Sequence, residues 1–297
     1  MKRIVPYLIL PILFCFSCKK EHTATAKKYK VTYNLSGFTQ QILNSVSGKK
    51  QVNSLVTNSG GAPASINTLY YFVYDATDTR VNQVYQDSTF SNFGSISDNL
   101  PAGTYTVVFV GGKAGLNPIN TTSTTGAVAA YGINSDTWED TFFYETSITV
   151  SGGDINQNAT MNRIVSELTI DIQDQIPANA STITLTVSKD YNVYLFTTQA
   201  PAGPIGPVTK TFTLPASVLG TSNYKHSILM LNTTTPFDAT ITCYDASNKA
   251  LGQATVTNIT LQVNTQTILS GNLFGSNTGF TTTLNHAWDP TTINVPF

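Results

Sequence analysis

The chain reads as an all-β protein built from two tandem antiparallel β-sandwich domains, and three observations predict it. Apolar residues recur at every second position through most of the body, the period at which a strand turns one face to a core. Turn residues break these runs at short intervals, and no long stretch shows helical periodicity. A segment around Tyr74 is echoed around Tyr244, as a doubled unit would show.

The amino terminus comes first in order. Lys2 and Arg3 precede the mostly apolar residues 4–16, and Ser17 and Cys18 follow. The apolar run is short of the roughly 20 residues that span a bilayer. Pro6 and Pro11 do not suit the interior of a strand or helix. Residues 1–17 are therefore expected to be a lipoprotein signal peptide, cleaved between Ser17 and Cys18. Ser17 meets the need for a small residue before the cysteine, although Cys15 stands where leucine is usual. Cleavage before Cys15 would place Phe14 at the small site. Cys18 is expected to carry acyl chains, palmitate among them, on its sulfur and amine. Each buried methylene contributes about 0.8 kcal/mol, and two chains hold where one does not. Residues 18–27 then form a lipidated tether. No aspartate follows the cysteine, which in known lipoproteins goes with the outer membrane.

Charge is divided unevenly. Between residues 18 and 50 lie seven lysines and one glutamate, whereas from residue 51 onward seven basic residues face sixteen acids. The basic stretch beside the lipid reads either as a segment drawn to anionic head groups or as a solvated tether. An acidic, arginine-poor body gives no sign of nucleic-acid binding. Once Cys15 is removed and Cys18 acylated, Cys243 is alone, so no disulfide is expected within the mature chain. Alternation puts Ala239, Ile241 and Cys243 on one face, so Cys243 is expected to be a small core residue.

In the body, Val31, Tyr33 and Leu35 alternate with polar neighbours, as do Leu168, Ile170 and Ile172, and then Ile183, Leu185 and Val187. Each set predicts a strand with one buried and one solvated face. Residues 68–74 and 105–110 are richer in apolar side chains and are expected to be buried on both faces. Residues 125–131 and 216–219 are expected to make at most a turn or two of helix. Residues 58–65 and 199–207 read as surface loops. The boundary between the sandwiches is placed in the polar stretch 151–158, giving domains at 28–152 and 153–297. In the echo, Tyr74-Asp75-Ala76 and Tyr244-Asp245-Ala246 each end a strand. Each aspartate is expected to accept turn amides, and Asp78 and Asn248 to take left-handed backbone.

Catalytic patterns are thin. His22, His226 and His286 have no partner at metal-ligand spacing, and there is no Gly-x-Ser-x-Gly elbow. Gly111-Gly112-Lys113 lacks the spacer of a phosphate loop and reads as a strand-end turn. Glu139 and Asp140, as neighbours, would point to opposite faces of a strand, so they read as a solvated turn rather than a glycosidase pair. Asp75 and Asp78 fit the hairpin better than a calcium site. Trp138 and Trp288 read either as buried anchors or as platforms for sugar rings. A non-catalytic protein without metal or cofactor is expected.

The run from Leu100-Pro101-Ala102-Gly103-Thr104-Tyr105 to Gly112, with Tyr71-Phe72-Val73-Tyr74-Asp75 before it, resembles the first domain of fimbrillin-type lipoproteins of the Bacteroidetes. Residues 161–171 are similar to the strand that opens their second domain, and residues 268–274 to one near their carboxyl terminus. The resemblance covers most of residues 28–275 and is nearest to the anchor subunits of type V pili. It implies two transthyretin-like or immunoglobulin-like sandwiches, pilus subunits as partners, and a role in holding a fimbrium in the outer membrane. Stalk subunits of that family lose an amino-terminal strand by cleavage after arginine, which opens a groove for another subunit's strand. Here no arginine lies between Cys18 and Arg80, which implies an unprocessed anchor.

Strand addition draws affinity from main-chain bonds and specificity from alternate side chains. The candidate donor is the tail 291–297, through Ile293, Val295 and Phe297; a tail packed on its own domain is the alternative. A surface glycan-binding lipoprotein of a polysaccharide-uptake system is the rival reading, so a glycan stays open as a partner. Asp87-Ser88-Thr89 reads as an O-glycosylation site or as a plain turn.

Overall fold

The computed structural model describes residues 26–35, 66–130, 138–203, 205–275 and 278–285. The signal peptide with Ser17, Cys18, His22, His286, Trp288 and the donor candidates Ile293, Val295 and Phe297 lie outside them.

In the first sandwich, β1 (Lys28–Asn34) lies between β4 (Ser95–Pro101), antiparallel to it, and β8 (Ile155–Asn158), parallel to it. The facing sheet is antiparallel throughout. Its order is β3 (Arg80–Asp87), β2 (Thr68–Tyr74), β5 (Gly103–Gly112), β7 (Thr141–Val150) and β9 (Asn162–Arg163). Val31, Tyr33, Ile96 and Leu100 from one sheet meet Leu69, Tyr71, Val107 and Phe109 from the other in a single core.

The second sandwich follows the same plan. Here β10 (Ser166–Ile172) lies between β15 (Tyr224–Met230), antiparallel, and β18 (Gln266–Asn272), parallel, with β19 (Gly279–Asn285) beyond β18. The facing sheet runs β14 (Gly206–Thr213), β11 (Ala180–Asp190), β16 (Phe237–Asp245), β17 (Ala250–Ile259). Leu168, Ile170, Ile183, Leu185, Ile241 and Leu269 form the core, with Cys243 fully buried among them. Burial pushes the Cys243 thiol up to about 11, as suits a small core residue.

The two halves share one topology. In each, the chain visits one sheet once, the other twice, returns once, crosses for two more strands, and closes beside its first strand. That closing strand arrives by a crossover from the facing sheet, not by a hairpin, and so runs parallel to its neighbour. The sheets are therefore mixed rather than purely antiparallel. Two strands beyond residue 152 still belong to the first sandwich: β8 pairs with β1, and β9 with β7. Its pairing extends to Arg163, past the boundary expected at 152/153.

Both echoed turns form at atomic detail. Asp75 Oδ1 accepts the Thr77 and Thr79 amides at 2.9 and 3.0 Å, and Asp245 Oδ1 accepts those of Ser247 and Lys249 at the same distances. Asp78 and Asn248 have φ of 60° and 61°. The two hairpins nevertheless sit at different corners of the shared topology. The β2–β3 turn corresponds to β11–β14, and the β16–β17 turn to β5–β7. The echo reflects a common turn chemistry, while the duplication lies in the strand order.

The outer face of the β2–β5–β7 sheet is also buried, as expected for residues 68–74 and 105–110. Phe72, Tyr74, Val108, Val110 and Phe143 pack with Ala127, Ala129, Tyr194, Phe196 and Leu231 in a third core. Part of its cover is a small sheet drawn from both halves: β6 (Val128–Ala129) pairs with β12 (Val193–Leu195), which pairs with β13 (Ala200–Ala202). Val128–Ala129 thus form a strand within 125–130, where a helical turn was expected, and β13 replaces part of the loop expected at 199–207. Ala216–Val218 makes a single 3-10 turn.

Two readings of polar residues need correction. Glu167, Thr169 and Asp171, expected on a solvated face of β10, are all buried, Glu167 at 1% exposure. Side chains of the flanking strands cover them. Gln266 Nε2 and Thr169 Oγ1 both donate to Glu167 Oε1 at 2.8 Å, and Ser270 Oγ donates to Asp171 Oδ2 at 3.1 Å. Asp140 is 5% exposed and is not part of a solvated turn, because Arg163 forks onto it at 2.6 and 3.0 Å.

Candidate strand-binding site

The slot between β4 and β8 is the feature best suited to strand exchange, and β1 fills it. Val31 and Tyr33 have no exposed surface, and Leu35 just beyond the strand is buried. The Tyr33 ring meets Phe109 edge-on at 5.1 Å and Tyr71 at 5.9 Å. Its hydroxyl is buried without a partner, and burial raises its pKa. Tyr71 donates to Asp98 Oδ2 at 3.2 Å, tying the slot's floor to β4. The ends of β1 are pinned as well. The Lys30 amide donates to Asp154 Oδ1 at 2.9 Å, Leu35 N–H to the Gly94 carbonyl at 2.8 Å, and Ala159 N–H to the Asn34 carbonyl at 3.1 Å.

Lys28, Lys30 and Asn34 face solvent, as alternation requires. The strand reaches the rest of its sandwich only through residues 36–65, so covalent structure does not oblige it to stay. It carries lysines but no arginine, and the first arginine after Arg3 is Arg80, already inside β3.

A second element of the site is the exit of the chain. β19 pairs with β18 so that Asn285 lies opposite Gln266, which in turn lies opposite Glu167 at the start of β10. Asn285, the last described residue, therefore lies at the end of the second sandwich where β10 begins. The filled slot belongs to the first sandwich, and β19, the last described strand, belongs to the second.

The junction between the halves is a feature that local pattern did not reveal. Arg163, held by Asp140, also donates to Asn264 Oδ1 at 2.7 Å and lies 4.9 Å from the Phe142 ring. Trp138 is 5% exposed and donates its indole N–H to the Tyr191 carbonyl at 2.8 Å, so it is a buried anchor. The only available signal was a lone arginine in an apolar context, which invites a buried carboxylate without saying which one.

The remaining candidates do not converge. His226 packs against Phe212 at 3.7 Å, and burial lowers it to about 4. Gly111 is a packing glycine, since an added Cβ would fall 2.9 Å from Ile66 Cδ1. No group of three His, Cys, Asp or Glu side chains able to hold a metal occurs among the described residues. Asp87 Oδ1 accepts the Thr89 amide at 2.9 Å, so residues 87–89 form an exposed turn.

The fimbrial anchor protein Mfa2 from Porphyromonas gingivalis is similar in fold, with a TM-score of 0.52 at 14% identity over 87% of this chain and 98% of that one. A candidate cell adhesion protein from Bacteroides eggerthii gives 0.55 at 9% identity, over 88% and 97%. A protein from Bacteroides thetaiotaomicron described as a candidate polysaccharide-binding protein gives 0.53 at 8% identity, over 82% and 92%. Identities this low show a shared fold alone. Comparison with curated proteins returns no match. The sequence model of the fimbrillin-A associated anchor proteins Mfa1 and Mfa2 matches residues 51–294, most of the chain. By that match the chain belongs to the family of fimbrillin-A associated anchor proteins.

Proposed function

We propose that the chain is a non-catalytic outer-membrane lipoprotein that holds a fimbrium at the cell surface, with the two sandwiches as its domains. In this reading Ser17–Cys18 is the cleavage site, and acylated Cys18 supplies the membrane anchor. The observation that carries the proposal is the filled slot. β1 is packed into the first core and has no arginine at which an arginine-specific protease could free it. A subunit whose slot stays closed cannot accept a strand there, and so suits the end of a fibre rather than its stalk. It still offers a strand of its own, the tail 291–297, with Ile293, Val295 and Phe297 as the side chains that fill a partner's slot. Family membership supports fimbrial subunits as the partners. Among the described residues no helix is long and apolar enough to cross a membrane.

Deleting residues 291–297 is expected to abolish co-purification with fimbrial subunits while leaving the lipoprotein in the outer membrane. Undiminished co-purification would exclude the tail as donor. The glycan-binding reading draws support from the likeness to the Bacteroides thetaiotaomicron protein, although burial of Trp138 withdraws one of its two candidate platforms. A micromolar affinity for any member of a polysaccharide panel would favour it.

A further inference from the structure

We infer that β1 is a mechanical clasp, set so that tension from the membrane shears it against its sheet instead of peeling it away. The inference rests on the reading that load enters through the tether ahead of Lys28. The geometry is that of two parallel strands, with Val31 opposite Ile155 and Asn34 opposite Asn158. Tension reaches β1 at its amino-terminal end. β8 passes the chain on from its carboxyl-terminal end, through Arg163 and its ion pair with Asp140, into β10. Load applied at Lys28 and taken up in the second sandwich therefore pulls the two strands from opposite ends.

In that geometry the ladder bonds of β1 share the load and must yield together. The antiparallel ladder to β4, in register from Lys28↔Pro101 to Asn34↔Ser95, adds to the same resistance. Side chains add a mechanical stop. Tyr33 lies at the end remote from the load, between Phe109 and Tyr71, and must leave that ring pocket before the strand can slide. The second sandwich repeats the parallel pair, as β10 and β18, but presents its ends to the load differently. Its β10 enters at Ser166, and β19 ends at Asn285 on the same side of the sheet, so tension across those two points opens the β18–β19 ladder one bond at a time.

The geometry can be tested by single-molecule force spectroscopy on the mature chain carrying Cys18→Ser, with Cys243 left in place because it is buried. Handles at Lys27→Cys and Asn158→Cys load β1 and β8 from opposite ends. Handles at Lys27→Cys and Gly153→Cys load them from the same end, and all three positions are exposed. At equal loading rate the first pair is expected to rupture at a force several-fold higher than the second. Tyr33→Ala should lower the first force and leave the second nearly unchanged, while Tyr33→Phe, which keeps the ring, should change neither. Equal forces in the two geometries, or an equal Tyr33→Ala effect in both, overturns the inference. An unacylated Cys18 would instead sink the anchoring reading and leave the force ratio standing.

Discussion

The two sandwiches follow the same strand path, yet one is gripped from both sides and the other is finished from within. In the first, the β2–β5–β7 sheet is buried on both faces, and the closing strand β8 has no strand beyond it among the described residues. In the second, the chain turns back after β18 and lays β19 along it, while β14 keeps a half-buried, half-exposed alternation on its sheet. The contrast teaches that a common topology leaves its edges free to diverge. The first half depends on a strand supplied from far off in sequence, and the second carries its own cover.

Removing strands breaks the comparison most sharply. A chain that starts after residue 35 loses Val31, Tyr33 and Leu35 from the first core, each worth about 1.5–3 kcal/mol for the burial alone. Set against a total stability of about 5–15 kcal/mol, the first sandwich is expected not to fold until a peptide of residues 26–35 is added. A chain that ends before Gly279 should keep the first sandwich intact. Limited proteolysis of the two truncations separates them, and equal susceptibility of the first half in both would count against the account.

A smaller effect is expected at the junction. Asp140→Asn leaves Arg163 buried beside an amide, and breaking such a pair costs about 3–5 kcal/mol. Because Arg163 also holds Asn264, chemical denaturation should pass from one transition to two as the halves come apart. A single transition at unchanged midpoint would show that the third core holds the halves without the ion pair.

The smallest effect distinguishes the second sandwich by pH. Burial outweighs the three amides on Asp190 Oδ1 (Tyr191, Leu231, Asn232) and pushes its carboxyl up to about 6. Between about pH 4 and 6 the folded form then holds a proton that the unfolded form has released. Its contribution is present below about pH 4 and is lost as pH rises towards 6. His226, lowered to about 4 by burial, behaves oppositely: its contribution is present above pH 6.5 and is lost as pH falls towards 4. The two contributions change in opposite directions between pH 4 and 6, so their slopes offset one another. Asp190→Asn should leave stability rising with pH over that window, and His226→Gln should leave it falling. Flat profiles for both variants would show that neither group titrates as described.

Much of this was legible in the sequence where the information is local. Period-two alternation placed β1, β10 and β11, doubled apolarity marked the sheet buried on both faces, and the Asp75 and Asp245 carboxylates were expected as the acceptors of their turns. What escaped was pairing at a distance. Alternation states that a strand has a core face but not which neighbour it joins, so the parallel placement of β8 and β18 and the reach of the first sandwich to Arg163 stayed hidden. The carboxylate that satisfies Arg163 lies 23 residues away in sequence, and the amide Asn264 lies 101 away. The burial of Glu167 likewise depends on Gln266, 99 residues off. Of the site, the alternation at Val31, Tyr33 and Leu35 and the lack of arginine between Cys18 and Arg80 could be read directly, whereas the place of Asn285 opposite Gln266 required the β18–β19 register.

The most direct test is to map the amino terminus of the protein isolated with fimbriae from the outer membrane. Mass spectrometry should find a chain that begins at acylated Cys18 and runs unbroken through Lys28–Asn34. A chain beginning after Leu35, or one with a free thiol at Cys18, would contradict the account.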